Sequence, residues 1–193
     1  MKIYFHLNLH GFSNCYIVAN EFAKEALIID PGKITKEMIQ EIENDSYTLA
    51  AAFITHNHGN NVHGLKTLCK IYTPAIYAAD WEVGGNNTRV ITGDGIIKIA
   101  GLSVQHMALP GHTADSMVYK IGNVLFTGDA ICAGKIGATN SGYADRMLRS
   151  NIEKKIFAEN DATIIMPGYG PPSCVGAEKR FNIGMLLNEH VTV

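Results

Sequence analysis

Short apolar runs separated by glycine, asparagine and aspartate dominate the first half of the chain. Apolar runs of about four to eight residues bounded by turn-forming residues are typical of buried strands. Over 34–42, apolar residues recur every three to four positions after Thr35, which is a suitable N-cap, so a helix with one buried face is predicted. The predicted strands of this half are 15–19, 26–29 and 49–55, and the predicted helices are 34–42 and 62–71.

The second half of the chain repeats this alternation of strands and helices. A hairpin is predicted at Gly122 and Asn123, because apolar runs flank this pair on both sides. The predicted strands are 96–99, 102–107, 116–121, 124–127 and 163–166, and the predicted helices are 144–159 and a short one from Gly176 onward. Interleaved strands and helices indicate a layered α/β protein, and two sheets covered by helices are compatible with the order.

Composition narrows the classes of function. The chain has 193 residues, 47% of them hydrophobic, and 16 basic residues against 18 acidic ones, which gives a net charge of -2. This length predicts one domain over 1–193 with a sizeable core, and the missing basic surplus argues against nucleic-acid binding. No signal peptide and no run of about 20 apolar residues is visible, so we expect a cytoplasmic protein without a membrane partner. Four scattered cysteines fit reduced thiols, and nothing in the pattern sets the oligomeric state.

The end of the third predicted strand carries the strongest chemical signal. His56 and His58 are two positions apart, so in an extended or looped segment both imidazoles lie on the same side and can converge on one point. Neutral imidazole is a preferred ligand of zinc and iron, and loops at strand ends often carry functional residues. This segment predicts a metal site, with two ordinary loop histidines as the alternative.

Three later segments place a polar residue beside glycine at the end or start of a strand. His112 follows Pro110 and Gly111, Asp129 follows Gly128, and Tyr169 lies between Gly168 and Gly170. Each segment alone is a weak signal. Together with the histidine pair, they are what a site built across one edge of a sheet requires, and we expect that site to take a small-molecule substrate.

These segments in this order resemble the metallo-β-lactamase-fold superfamily, and most closely the single-domain hydrolases related to glyoxalase II. The resemblance begins at the strand 14–18, includes the family's Ile-Asp-Pro-Gly turn at 29–32, and continues through all four loops to 171–172. It implies a four-layer αββα sandwich with the metal site at one edge, between the two sheets. It also implies that the first metal has three histidine ligands and that an aspartate bridges two metals. The histidines are His56, His58 and His112, and the bridging carboxylate is Asp129.

The second metal site of that family is altered in this chain. The family motif His-x-His-x-Asp-His is replaced here by His56-Asn57-His58-Gly59-Asn60-Asn61, and Tyr169 stands where the family has a further histidine. An asparagine amide is a weak ligand, and a tyrosine hydroxyl must first lose a proton with a pKa of ~10. The resemblance and the donor chemistry together predict one metal ion, zinc by preference, with iron as the alternative.

The expected activity is hydrolysis of an ester, thioester or amide by hydroxide formed on a single zinc. Asp129, Tyr169 and Asn60 are the candidate catalytic residues. Tyr169 could donate a hydrogen bond to an oxyanion, or it could only fill the vacated metal pocket. His63 could act as a substitute ligand or base, although a solvent-facing position at a helix start is the preferred interpretation. Two alternatives remain open: a catalytically silent metal-binding relative, and a mononuclear iron oxygenase resembling persulfide dioxygenases that uses two histidines and Asp129.

Overall fold

The computed structural model describes residues 1–9 and 11–186, which form two six-stranded mixed sheets, two small two-stranded sheets and six α-helices with one π-helical turn. The strands are β1 (Lys2–Leu7), β2 (Asn14–Asn20), β3 (Glu25–Ile29), β4 (Thr48–Phe53), β5 (Ala75–Ala78), β6 (Glu82–Val83), β7 (Asn86–Asn87), β8 (Arg89–Val90), β9 (Gly95–Ile99), β10 (Leu102–Ala108), β11 (Met117–Ile121), β12 (Val124–Gly128), β13 (Ile131–Cys132), β14 (Lys135–Ile136), β15 (Ile164–Pro167) and β16 (Ser173–Cys174). The helices are α1 (Lys36–Asn44), α2 (Gly59–Val62), α3 (Leu65–Ile71), α4 (Gly142–Asn151), the π-helical turn (Ile152–Ile156), α5 (Val175–Phe181) and α6 (Ile183–Leu186). None of these helices is long and apolar enough to span a membrane.

The first sheet has the order β1-β2-β3-β4-β5-β8. Strands β1, β2 and β3 pair antiparallel through tight connections, whereas β3, β4, β5 and β8 run parallel because helices connect the central ones. The central strands are buried on both faces, which explains their continuous apolar sequence.

The second sheet has the order β16-β15-β12-β11-β10-β9. Strands β9 to β12 form an antiparallel meander, and β15 joins β12 in parallel register after the crossover through α4. The turn between β9 and β10 requires positive φ angles at Ala100 and Gly101, and the glycine meets this without a steric penalty.

Three apolar layers hold these elements together and confirm the αββα sandwich. Between the sheets, aromatic side chains interlock: the Phe53 ring stacks on Tyr77 and meets the edge of Tyr119. A second layer lies between the first sheet and helices α1 and α3, and includes Met38 and Leu68. The third layer lies between the second sheet and helices α4 and α5 with the π-helical turn.

Hydrogen bonds cross from sheet to sheet at the edge where the strand ends meet. The Met117 backbone N–H donates to the Thr55 carbonyl over 2.7 Å, and the buried Tyr119 hydroxyl donates to the Ile54 carbonyl over 2.6 Å. The Tyr16 hydroxyl donates to the Pro167 carbonyl over 2.7 Å. This edge is therefore a fixed frame for the loops that leave it.

Most predicted elements are confirmed, with small changes in their bounds. The helix predicted over 34–42 is α1, and the Thr35 hydroxyl caps it by accepting from the Met38 N–H. The helix predicted over 62–71 is wrong in its start, because the chain forms two helices, α2 and α3, with a break at 63–64. Gly64 lies so close to the Pro31 carbonyl that a β-carbon would come within 2.3 Å of it. The helix predicted over 144–159 begins two residues earlier and ends as a π-helical turn at Ile156.

Candidate metal centre

Four ligand-type side chains converge at the shared edge of the two sheets. His56 and His58 follow β4, His112 lies in the turn after β10, and Asp129 follows β12. One ligand atom from each of the four lies within 4.8 Å of the ligand atoms of the others. The strand ends therefore assemble as the sequence indicated, and each sheet contributes two of the four groups.

The separations between ligand atoms match a tetrahedral ion. His58 Nδ1 lies 2.9 Å from His56 Nε2 and 3.3 Å from His112 Nε2. Asp129 Oδ2 lies 3.5 Å from His56 Nε2 and 3.6 Å from His112 Nε2. Metal–ligand bonds of ~2.0–2.1 Å in a tetrahedron give ligand–ligand separations of about 3.3 Å. This donor set therefore fits a zinc-sized divalent ion.

Hydrogen bonds on the far side of two imidazoles fix which nitrogen faces the centre. The Thr55 hydroxyl donates to Asp30 Oδ2 over 2.7 Å, so its oxygen is an acceptor for the Nδ1–H of His56, 3.0 Å away. His112 Nδ1 lies 2.7 Å from the Ala138 carbonyl oxygen, which can only accept. Both rings thus carry their proton on Nδ1 and present Nε2 as a ligand. Hydrogen-bond partners of the other ring nitrogen fix metal-binding histidines in the same way in known metal sites.

Asp129 lies against positions that only glycine can occupy. A β-carbon at Gly168 would come within 2.4 Å of Asp129 Oδ1, and one at Gly137 within 2.2 Å of the Asp129 carbonyl oxygen. Asp129 Oδ1 is buried and finds no hydrogen-bond donor among the described residues, while Oδ2 faces His56 and His112. A buried carboxylate oxygen without a donor is costly, and a nearby cation removes that cost. The environment of Asp129 therefore also fits a metal ion.

The electrostatics of the centre differ between its members. Burial acts to lower the pKa of His56, but the carboxylates of Asp129 and Asp30 outweigh it and the pKa of His56 is raised. Burial and the neighbouring imidazoles of His56 and His112 lower the pKa of His58, which favours the neutral, coordinating form. Behind them, burial raises the pKa of Asp30 to about 6 against the pull of His56.

The residues at the altered second site also come together, but as hydrogen-bonding groups. The Asn60 side-chain amide donates to the Tyr169 hydroxyl over 2.9 Å. Asn61 is buried, and its amide nitrogen lies 3.5 Å from His56 Nδ1. The structure thus brings Asn60 and Tyr169 into contact with each other, and a catalytic role for either of them stays a prediction.

The remaining described histidines lie outside the four-residue group. His63 is exposed, as its preferred interpretation states, but it lies at the end of α2 and not at a helix start. His6 forms an ion pair with Glu41, and His106 Nδ1 lies 3.2 Å from the Gly93 carbonyl.

Comparison with protein families identifies the superfamily to which this arrangement of residues belongs. The model of the metallo-β-lactamase superfamily matches residues 9–169, which includes every ligand of the candidate centre. The chain belongs to the metallo-β-lactamase superfamily. Its relatives include an uncharacterized protein of Treponema pallidum, 31% identical over 174 residues that cover 90% of this chain and 93% of the relative. They also include a hydroxyacylglutathione hydrolase, GloC, of Haemophilus influenzae, 29% identical with coverage of 88% and 91%.

Solved structures of the superfamily share this fold over almost the whole chain. The B3 metallo-β-lactamase BLEG-1 superposes with a TM-score of 0.84 at 21% identity, covering 95% of this chain and 99% of that one. ETHE1 from Myxococcus xanthus gives a TM-score of 0.84 at 22% identity, with coverage of 95% and 84%. These similarities confirm the metallo-β-lactamase fold predicted from the sequence.

Sequence reasoning missed the groups that hold the superfamily's ligands in place here. Thr55, Asp30 and the Ala138 carbonyl were not expected to contact histidines. Asp115 is a further case, because its carboxylate accepts from the Asn57 backbone N–H over 2.7 Å and so anchors the loop between His56 and His58. The available signal was a threonine directly before His56 and an aspartate at the end of an apolar strand.

Proposed function

We propose that this protein is a metal-dependent hydrolase of small-molecule esters, thioesters or amides, with one zinc ion held by His56, His58, His112 and Asp129. One observation carries the proposal. His56 and His112 each have Nδ1 hydrogen-bonded to an acceptor, which leaves Nε2 to bind an ion, and all four ligand atoms lie within 4.8 Å of one another. The hydrolase name of the Haemophilus relative supports this reaction class.

With four protein ligands, the ion would have to expand to five-coordination to hold water. A water held there would be acidified, and the ion would polarise the carbonyl of the substrate. The residues of the chain then have distinct tasks. Asp129 would be one of the groups that hold the ion, and Gly137 and Gly168 pack closely against it. Tyr169 accepts a hydrogen bond from Asn60, so its own proton is free to be donated to the oxyanion that forms on the substrate. Asn60 is a positioning residue for that hydroxyl.

A mononuclear iron oxygenase is the second candidate, because His56, His112 and Asp129 alone have the composition of a two-histidine, one-carboxylate iron site. A metal-binding protein without turnover is the third. The Asn60–Tyr169 pair favours this third candidate, because neutral side chains stand at two positions where the family has metal ligands.

The test has two parts, metal content and turnover. Protein purified without added metal is analysed by plasma mass spectrometry, and hydrolysis is measured with a panel of small esters and thioesters. We expect about one zinc per chain and turnover that His112→Ala abolishes together with the bound metal. The matched control is His6→Ala, which removes a histidine that pairs with Glu41 instead of facing the centre.

Other combinations of metal content and turnover would support one of the alternative functions or contradict the single-ion centre. One iron per chain with oxygen consumption would support the oxygenase. One zinc without turnover of any substrate would support the silent protein. Two tightly bound ions per chain would contradict the single-ion centre.

A further inference from the structure

A groove of about 790 Å³ opens next to the segment that follows His58, and most of its lining comes from two segments distant in sequence. One wall is the turn that includes Gly32 and Lys33, and the other runs from Gly59 through α2 into α3. Asn60 belongs both to this groove and to the hydrogen bond with Tyr169. A molecule in the groove can therefore reach the residues beside the metal ligands.

The charge of the groove has one sign. Its ionisable lining residues in the described part of the chain are Lys33, His63 and Lys66, all of them bases. His63 and Lys66 are exposed, and neither forms an ion pair with a described residue. In a chain with a net charge of -2, a concave surface whose ionisable lining residues are all bases favours an anionic ligand.

The walls of the groove are held in fixed register. The Gly64 backbone N–H donates to the Pro31 carbonyl over 2.9 Å, and the Ser13 hydroxyl donates to the Asn60 carbonyl over 2.9 Å. A β-carbon at Gly32 would come within 1.8 Å of the Asn60 carbonyl oxygen, so the two walls touch backbone to backbone. Lys33, His63 and Lys66 thus line a groove whose walls are already fixed by backbone contacts, which lowers the ordering cost of binding.

We propose that this groove binds an anionic group of the substrate, a carboxylate or a phosphate, whose scissile bond extends past Asn60 to the metal centre. His63 and Lys66 are the specificity-determining residues, and Lys33 lines the opposite wall. The proposal rests on the proposed hydrolase function only for the position of the scissile bond. It gives His63 a task in recognition in place of metal binding.

Binding and turnover are tested separately, with the protein as purified. Binding uses three non-hydrolysable thioethers: S-methyl mercaptoacetate, its neutral amide, and S-methyl mercaptomethylphosphonate. The backbone amide signals of Gly64 and Thr67 report occupancy in an NMR titration. Turnover uses the thioester pair S-acetyl mercaptoacetate and S-acetyl mercaptoacetamide. The variants are Lys66→Glu and, as a control with the same charge change on the same helix, Lys70→Glu, which lies outside the groove.

We expect the anionic thioethers to bind about tenfold more tightly than the amide, since hydrogen bonds to charged groups are the stronger ones. Lys66→Glu should abolish this preference, Lys70→Glu should retain it, and added salt should weaken it. The carboxylate and phosphonate arms show which anion is preferred. Equal binding of acid and amide, or a preference that survives Lys66→Glu because the anion coordinates the metal, would overturn the groove assignment. A retained preference without hydrolysis of either thioester would support the groove and reject the hydrolase.

Discussion

The side-chain amide of Asn60 donates a hydrogen bond to the Tyr169 hydroxyl over 2.9 Å, although 109 residues separate the two in the sequence. The resemblance to the superfamily places ligands of a second metal at both positions. In this chain the pair is neutral and internally satisfied, and the tyrosine keeps a donor that can face substrate. A hydrogen-bonded pair thus stands at the two positions where the family has ligands of a second metal.

Tyr169→Phe tests the donor role of this hydroxyl. We expect kcat to fall by about 10²-fold with little change in KM, because a donor aimed at the oxyanion acts in the transition state. Steady-state kinetics on the best thioester of the panel measures the split. Tyr143→Phe, at an exposed tyrosine of α4, should leave both constants unchanged. A loss confined to KM would assign Tyr169 to substrate binding instead.

Restoring the family's ligands should create a second metal site. The triple variant Asn60→Asp, Asn61→His, Tyr169→His is expected to raise the metal content from about one ion per chain toward two. Plasma mass spectrometry after dialysis measures the ratio. Asn57→Asp, which adds a carboxylate to the same loop at an exposed position, is the control and should keep one ion. An unchanged ratio in the triple variant would show that the map of the second site is wrong.

The Thr55 hydroxyl links the Asp30 carboxylate to the His56 ring. Thr55→Val keeps the shape of the side chain but removes that link. We expect metal affinity to fall by about 10–100-fold, as for other second-layer partners of metal-bound histidines. Competition with a chromophoric chelator measures the affinity. Thr55→Ser retains a hydroxyl and should stay close to the unmodified protein, so equal losses in both variants would argue for packing as the cause.

Asp30 should make the stability of the metal-free protein depend on pH. Burial raises the pKa of its carboxyl to about 6, above the ~3.9 of an unfolded aspartate. The folded state therefore binds the proton more tightly, and the resulting stabilisation is complete below about pH 4 and lost as the pH rises through 6. Two pKa units correspond to ~3 kcal/mol.

The measurement for Asp30 compares urea unfolding of the metal-free protein with that of Asp30→Asn. Asparagine also tolerates the positive φ of 49° at this position, so the comparison isolates the charge. The free energy of unfolding of the unmodified protein, relative to the variant, should increase as the pH falls from about 7 to about 4. A difference that does not vary with pH would contradict the raised pKa.

Gly32 is required for the contact between the walls of the groove. In Gly32→Ala the new methyl group would overlap the Asn60 carbonyl, and we expect the free energy of unfolding to fall by roughly 2–3 kcal/mol. Gly59→Ala is the matched control, because a β-carbon there meets no atom within 4 Å and should change stability by less than about 1 kcal/mol. Thermal unfolding of the two variants, followed by circular dichroism, decides the comparison.

The sequence predicts best where burial is complete. Strands β2, β3, β11 and β12 are buried along most of their length, so their apolar runs mark them clearly. Strand β1 was not predicted, because it lies at the edge of its sheet, is only partly buried and contains no long apolar run. The break between α2 and α3 also escaped prediction, since its cause is the close approach of Gly64 to Pro31, which is a tertiary contact.

The candidate metal centre was also only partly predictable from the sequence. The four candidate ligands lie at strand ends, three of them next to a glycine, and that local pattern is visible in the sequence. Their supports are contacts over long distances: Asp30 with Thr55 across 25 positions, and His112 with the Ala138 carbonyl across 26. A backbone carbonyl has no residue signature at all. The groove could not be predicted from the sequence for the same reason. Lys33 and Lys66 line it together only when the turn after β3 packs against α2.

The four ligands are divided evenly between the two sheets: His56 and His58 leave the first, and His112 and Asp129 leave the second. Neither half of the chain, folded alone, holds more than two of them. An ion bound by all four ligands would therefore link the two sheets at this edge, and the complete ligand set would form only once both halves have docked. The stability of the contact between the two sheets at this edge would then depend on the bound ion.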